Sequence, residues 1–130
     1  MKLSGLHHCS ILVTDMARAR RFYRDVLGLR EIVIPSTFPG AGLNVHWFEL
    51  GDEQIHLIPT PQPDAISQRH FAMHVSDAKA AREELRAKGV EVAETVVIPG
   101  ADRFFVRDPD GNRIELIEWK EAYQVVPVNS

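Results

Sequence analysis

The chain has 130 residues, 45% of them hydrophobic and 25% charged, with a formal charge of −3 and a single cysteine. This composition fits one globular domain and excludes a disordered or collagen-like chain. The mild acidity argues against a nucleic-acid or membrane-surface binder, and one cysteine excludes an internal disulfide or a multi-cysteine zinc site.

The N-terminal apolar run is broken by His7 and His8, unlike a signal peptide, and no later run approaches the roughly 20 residues of a membrane span. A soluble, cytoplasmic protein is therefore expected.

In chain order, the first predicted strand is His8–Val13, closed by Thr14 and Asp15. The same pattern returns 62 residues later, where His70 to Ser76 precede Asp77. Both aspartates suit a helix N-cap. After the first, Met16, Ala19, Phe22, Tyr23, Val26 and Leu27 recur at helical spacing until Gly28. After the second, Ala78 to Lys88 carries Ala81 and Leu85 among charges until Gly89.

Strands are expected at 29–34 and 43–50, then at 55–58, in the first half. In the second they are expected at 90–98, 103–107 and 114–117, the last after the turn signal Asp108-Pro109-Asp110-Gly111-Asn112. Each half thus reads βαβββ. Module 1 spans about 5–58, a proline-rich linker 59–68, module 2 about 69–118 and a tail 119–130. Each half is of marginal size alone, so the two are expected to fold as one unit.

Strand side chains alternate between faces. Cys9, Ile11 and Val13, with Ile55, Leu57, Phe71, Met73, Ile114 and Leu116, should pack on the helices. His8, Gln54, His56, His70, His74, Arg113 and Glu115 fall on the opposite face. The repeat sets His8 against His70 and His56 against Glu115. Under pseudo-two-fold symmetry these four converge, each half giving two. Imidazole plus carboxylate suits Zn, Ni, Co, Fe or Mn as a divalent cofactor. His74 shares the face of His70 and is a candidate acid–base group. Gln54 is expected to orient His56 as a hydrogen-bond donor.

Cys9 reads as an inert thiol on the helix side. His7 and His46 read as surface or edge residues, and Arg103 and Arg107 as solvated strand charges. The connection 35–42 has a loop composition, with Phe38 as a candidate lid.

The run from His8 to Asp15, Phe22-Tyr23, Leu27-Gly28-Leu29, the run from His70 to Asp77, and Asp108-Pro109-Asp110-Gly111-Asn112-Arg113-Ile114-Glu115-Leu116 together resemble the vicinal oxygen chelate superfamily. That group includes glyoxalase I, extradiol dioxygenases, methylmalonyl-CoA epimerase and the fosfomycin and bleomycin resistance proteins. The resemblance covers residues 5 to 118. It implies an α+β fold of two βαβββ modules curving into a U-shaped incomplete barrel, and the metal ligands His8, His56, His70 and Glu115.

In glyoxalase I the slot of His56 is usually Glu, and in the epimerase Gln. The implied function is a glyoxalase I-like lyase or isomerase, in which the metal stabilises an enediolate of a small oxygenated substrate and Glu115 and His74 are catalytic. Leu12 and Thr60 stand where glyoxalase I places glutathione-binding Arg and Asn, so a different or smaller substrate is expected. An extradiol Fe(II) dioxygenase using His8, His70 and Glu115 is one alternative. A non-enzymatic drug-binding protein is another. Small members of the group are usually homodimers, and a homodimer is expected here.

Overall fold

The computed structural model describes residues 1–38, 42 and 44–129. By its contacts the chain divides into two compact units, 1–69 with 107–113, and 70–106 with 114–130. The architecture is α+β, with open sheets of four and three strands.

In the first unit β1 (His8–Val13) leads into α1 (Met16–Arg21), followed by β2 (Arg30–Ile32), β3 (His46–Leu50) and β4 (Glu53–Pro59). This is the expected βαβββ order. The sheet runs β1-β4-β3-β2, with β1 parallel to β4 and the other pairs antiparallel. As predicted, Asp15 caps α1, its Oδ1 accepting from the Arg18 amide at 3.0 Å.

The helix does not stay α to its end. Phe22–Val26 is π-helical, and the Leu27 amide donates to the Phe22 carbonyl five residues back. The wider turn keeps both Phe22 and Tyr23 on the buried side. Gly28 then stops the segment at φ 77°, a left-handed conformation that favours glycine.

The core here is Val13, Ala19, Tyr23, Phe48, Ile55 and Leu57, all almost fully buried. Burial of each large apolar side chain contributes about 1.5–3 kcal/mol. β1 shows the predicted alternation, with Ile11 and Val13 buried and His8, Ser10 and Leu12 exposed.

The turn at 108–112 belongs by its contacts to this unit. Thr14 donates from its amide and its hydroxyl to Asp110 Oδ1, at 3.0 and 2.5 Å. Asn112 Nδ2 donates to the Leu12 carbonyl at 2.9 Å. The buried Tyr23 hydroxyl donates to Asp108 Oδ2 at 2.8 Å.

The second unit has β5 (His70–His74), α2 (Ala78–Ala87), β6 (Ala101–Arg107) and β7 (Arg113–Trp119), in the sheet order β5-β7-β6. Asp77 caps α2 through the Ala80 amide at 2.9 Å, and Gly89 at φ 80° follows its end. Met73, Leu85, Phe104, Val106, Ile114 and Leu116 are buried.

The strand expected at 90–98 is reduced to one bridge, Ala93 with Phe105. Its apolar residues do not alternate onto one face, and the neighbours Val96 and Val97 are both exposed. Arg82 instead holds the segment from α2, donating to Glu94 Oε2 and to Asp102 Oδ2, each at 3.0 Å. Among the described residues no helix is long and apolar enough to cross a membrane.

Candidate metal centre

In the first unit, register sets the site. His8 is the Cα partner of Gln54, and Gln54 of Glu49; His56 is the partner of Ser10 and of Trp47. Partners across a sheet share a face, so His8, Gln54, His56 and Trp47 stand side by side.

The His56 ring lies between two others. Its centroid is 4.0 Å from Trp47 with 3° between planes, and 4.0 Å from His8 with 16° between planes. It is 6% exposed, whereas His8 is exposed. His56 Nε2 lies 2.8 Å from Gln54 Oε1, so the expected pair is made, but Gln54 accepts where the sequence predicts a donor. An amide oxygen only accepts, so the ring donates from Nε2.

At one end of this column His7 Nδ1 is 2.9 Å from His8 Nδ1. At the other, Phe38 packs edge-on to Trp47 at 5.1 Å. Of the loop 35–42 in which Phe38 was a candidate lid, residues 39–41 lie outside the described residues.

Burial, and then the neighbouring His8 and His7, lower the His56 pKa to about 4. The folded ring refuses a proton that an unfolded histidine accepts. Its contribution to stability is therefore full above about pH 6.5 and falls as the pH drops toward 4. Thermal unfolding should show a decline of a few degrees over that window in the wild type, largely missing in His56→Phe.

In the second unit the site is a carboxylate with divided oxygens. Glu115 is 7% exposed. Its Oε2 lies 3.1 Å from His70 Nε2, and its Oε1 accepts from Arg103 Nη1 at 3.2 Å. Arg103 also donates to the Val96 carbonyl at 2.9 Å. Its guanidinium lies 5.9 Å from the Phe105 ring centre, and the His70 ring meets Phe105 edge-on at 5.0 Å. His74 is exposed on the same strand.

Arg103 is thus not the solvated edge charge expected from sequence. Its side chain is 17% exposed and paired with the acid. A single arginine in a strand carries no local signal of this, because its partner is 12 residues away on β7.

The donor chemistry suits a divalent ion, but the two halves differ. Two donors each about 2.1 Å from one ion, at angles of roughly 90–109°, lie about 3.0–3.4 Å apart. The 3.1 Å between His70 Nε2 and Glu115 Oε2 falls in that interval. The pair therefore fits.

His8 and His56 do not fit as a chelating pair. Their planes, tilted by 16° and about 3.5 Å apart in van der Waals contact, meet only roughly 12 Å away. A ligand nitrogen sits about 2.1 Å from an ion lying in its own ring plane. One ion cannot bind both rings as they stand. Among the described residues no group of three or more His, Cys, Asp or Glu is placed to hold a metal.

The remaining histidine and the thiol are structural. His46 Nδ1 lies 2.7 Å from Glu31 Oε1, and its Nε2 lies 3.1 Å from Asn44 Oδ1. Cys9 is free, and burial, with Glu53 adding to it, pushes its thiol pKa up, which disfavours the nucleophilic thiolate.

Paired βαβ-type units with imidazole and carboxylate side chains on the sheet face away from the helices define a glyoxalase-like fold. The chain belongs to the Glyoxalase/Bleomycin resistance protein/Dioxygenase superfamily, whose family model matches residues 5–116. It is 32% identical to a lactoylglutathione lyase of Haemophilus influenzae over 126 residues, covering 88% of this chain and 93% of that one. It is 31% identical to an uncharacterized Escherichia coli protein, YaeR, over 131 residues, covering 89% and 97%. The structure of a glyoxalase family protein from Bacillus anthracis superposes with a TM-score of 0.84 at 30% identity, covering 92% of this chain and 98% of that chain.

Proposed function

We propose that this protein is a divalent-metal-dependent enzyme, a glyoxalase I-like lyase or isomerase acting on a small oxygenated substrate. His8, His70 and Glu115, three of the four ligands that the resemblance implies, would hold the ion. His56, the fourth residue predicted from sequence, is not counted with them because no ion reaches the planes of both it and His8. The observation that carries the reading is the buried Glu115 carboxylate set at ligand spacing from His70.

The metal, when bound, supplies Lewis-acid stabilisation of a substrate oxygen that becomes negative. The chain's own residues do the rest. His70 and Glu115 orient one another, and Arg103 fixes the rotation of the carboxylate by engaging Oε1. With that oxygen engaged, Glu115 is a poor carrier of a proton between substrate carbons. The imidazole of His74, exposed on the strand that bears His70, takes that role. Leu12 and Thr60, in place of the residues with which glyoxalase I holds glutathione, point to a smaller thiol adduct or to a substrate without one.

A second reading is favoured by the donor set itself. Two histidines and one carboxylate are the set of non-haem Fe(II) oxygenases. One assay pair separates the two. With Ni or Zn, the lyase reading expects thioester formation from methylglyoxal and a small thiol. With Fe(II), the dioxygenase reading expects oxygen uptake with catechols. Oxygen uptake without thioester formation overturns the first. A metal-free protein that binds planar drugs and turns over neither substrate overturns both.

A further inference from the structure

We propose that Arg103 binds an anionic group of the substrate, and that the substrate is a small carboxylate, which takes the Nε–Nη2 edge of the guanidinium from the Val96 carbonyl. The inference deepens the reading above, because it takes the Glu115–His70 pair of the second unit as the place of reaction, but the binding step itself needs no ion.

An arginine carries five N–H donors in a planar fork and no acceptor. In Arg103, Nη1 donates to Glu115 Oε1 at 3.2 Å and Nη2 to the Val96 carbonyl at 2.9 Å. Nε is shut off from solvent and has no acceptor among the described residues. A buried donor without a partner is costly, and native proteins keep few of them. This one is also held in place. Glu115 fixes one end of the guanidinium, whose carbon lies 5.9 Å from the Phe105 ring centre, and the Arg103 carbonyl accepts from Arg82 Nη2 at 3.1 Å.

A ligand that matches the Nε–Nη2 edge has two oxygens in one plane, which is the shape of a carboxylate. A backbone carbonyl has one oxygen, so Val96 fills half the edge. Val96 lies in the segment where one bridge, Ala93 with Phe105, stands in place of a strand, and its side chain is exposed. Its carbonyl gives way without breaking a strand ladder. Glu115 stays on Nη1, so the two carboxylates meet the guanidinium on different edges.

The test follows the Nε–H itself. Full-length, nitrogen-labelled protein is titrated with pyruvate, as purified and again after chelator treatment, and the arginine Nε–H signals are recorded by NMR. Arg103→Lys assigns the Arg103 signal by its loss. Pyruvate is expected to move that signal downfield and to saturate in both preparations, as the donor gains an acceptor. Methyl pyruvate, which lacks the charge, should bind at least about tenfold more weakly.

Arg103→Lys keeps a charge beside Glu115 and loses the fork, so pyruvate affinity, read from backbone amides of the second unit, should fall about tenfold or more. Thermal unfolding checks that this variant is folded, and the comparison of acid with ester uses the wild type alone. A signal that pyruvate leaves in place, or that the ester moves equally well, would overturn the proposal. So would an affinity unchanged in Arg103→Lys. Pyruvate binding in a protein whose elemental analysis shows no metal overturns the metal reading and leaves the anion site standing. Metal present with an unmoved Arg103 signal does the reverse.

Discussion

Asp108→Ala is expected to lower the unfolding free energy by about 3–5 kcal/mol, because it strips the acceptor from several buried donors at once. Asp108 is 5% exposed and Tyr23 is fully buried. Oδ2 accepts from the Tyr23 hydroxyl and from Asn112 Nδ2, both at 2.8 Å. Oδ1 accepts from the amides of Asp110 and Asn112, at 3.0 and 2.8 Å.

Burial, followed by the charge of Asp108, pushes the Tyr23 pKa well above the ordinary phenol value, so its hydroxyl remains a donor at physiological pH. Tyr23→Phe removes one bond to a charged acceptor and leaves the other three, so a smaller loss of about 1.5–3 kcal/mol is expected. Urea unfolding of the two variants checks the order. Equal losses would show that the carboxylate does not organise the turn.

The second large effect is on metal content. Protein purified without a tag should carry close to one transition-metal ion per chain by elemental analysis. His8→Ala with Glu115→Ala should reduce this to background. Glu115→Gln alone should weaken binding beyond the roughly 10–100-fold that a residue merely supporting a ligand costs. Metal retained at wild-type level in the double variant would sink the site. Thermal unfolding of the same samples separates loss of the ion from loss of the fold.

Much of this protein is legible locally, and what is not has a common cause. Repeats, caps and strand parity are properties of short windows, so His8, Asp15, His70 and Asp77 mark both strand–helix starts. The alternation that exposes His8 and buries Ile11 follows from the same windows. The π-helical end of the first helix is a packing outcome that puts two adjacent aromatics, Phe22 and Tyr23, on one side.

The segment 90–98 has strand-forming residues without a one-sided pattern. Composition alone suggested a strand where one bridge exists. The site shows the limit most clearly. That Trp47 lies on His56, and that Arg103 engages Glu115, depends on register between strands and on rotamers across a sheet. No spacing along one strand encodes either contact.

The turn that anchors Tyr23 also sets a schedule for the growing chain. Its bonds to Leu12, Thr14 and Tyr23 span 100, 96 and 85 residues. A chain emerging from the ribosome can make every strand of its first sheet and still hold a buried phenol with no acceptor. Contacts of such sequence separation come late and slow folding, and the incomplete form is open to aggregation meanwhile. The first unit is complete only once residues 108–112 have joined it.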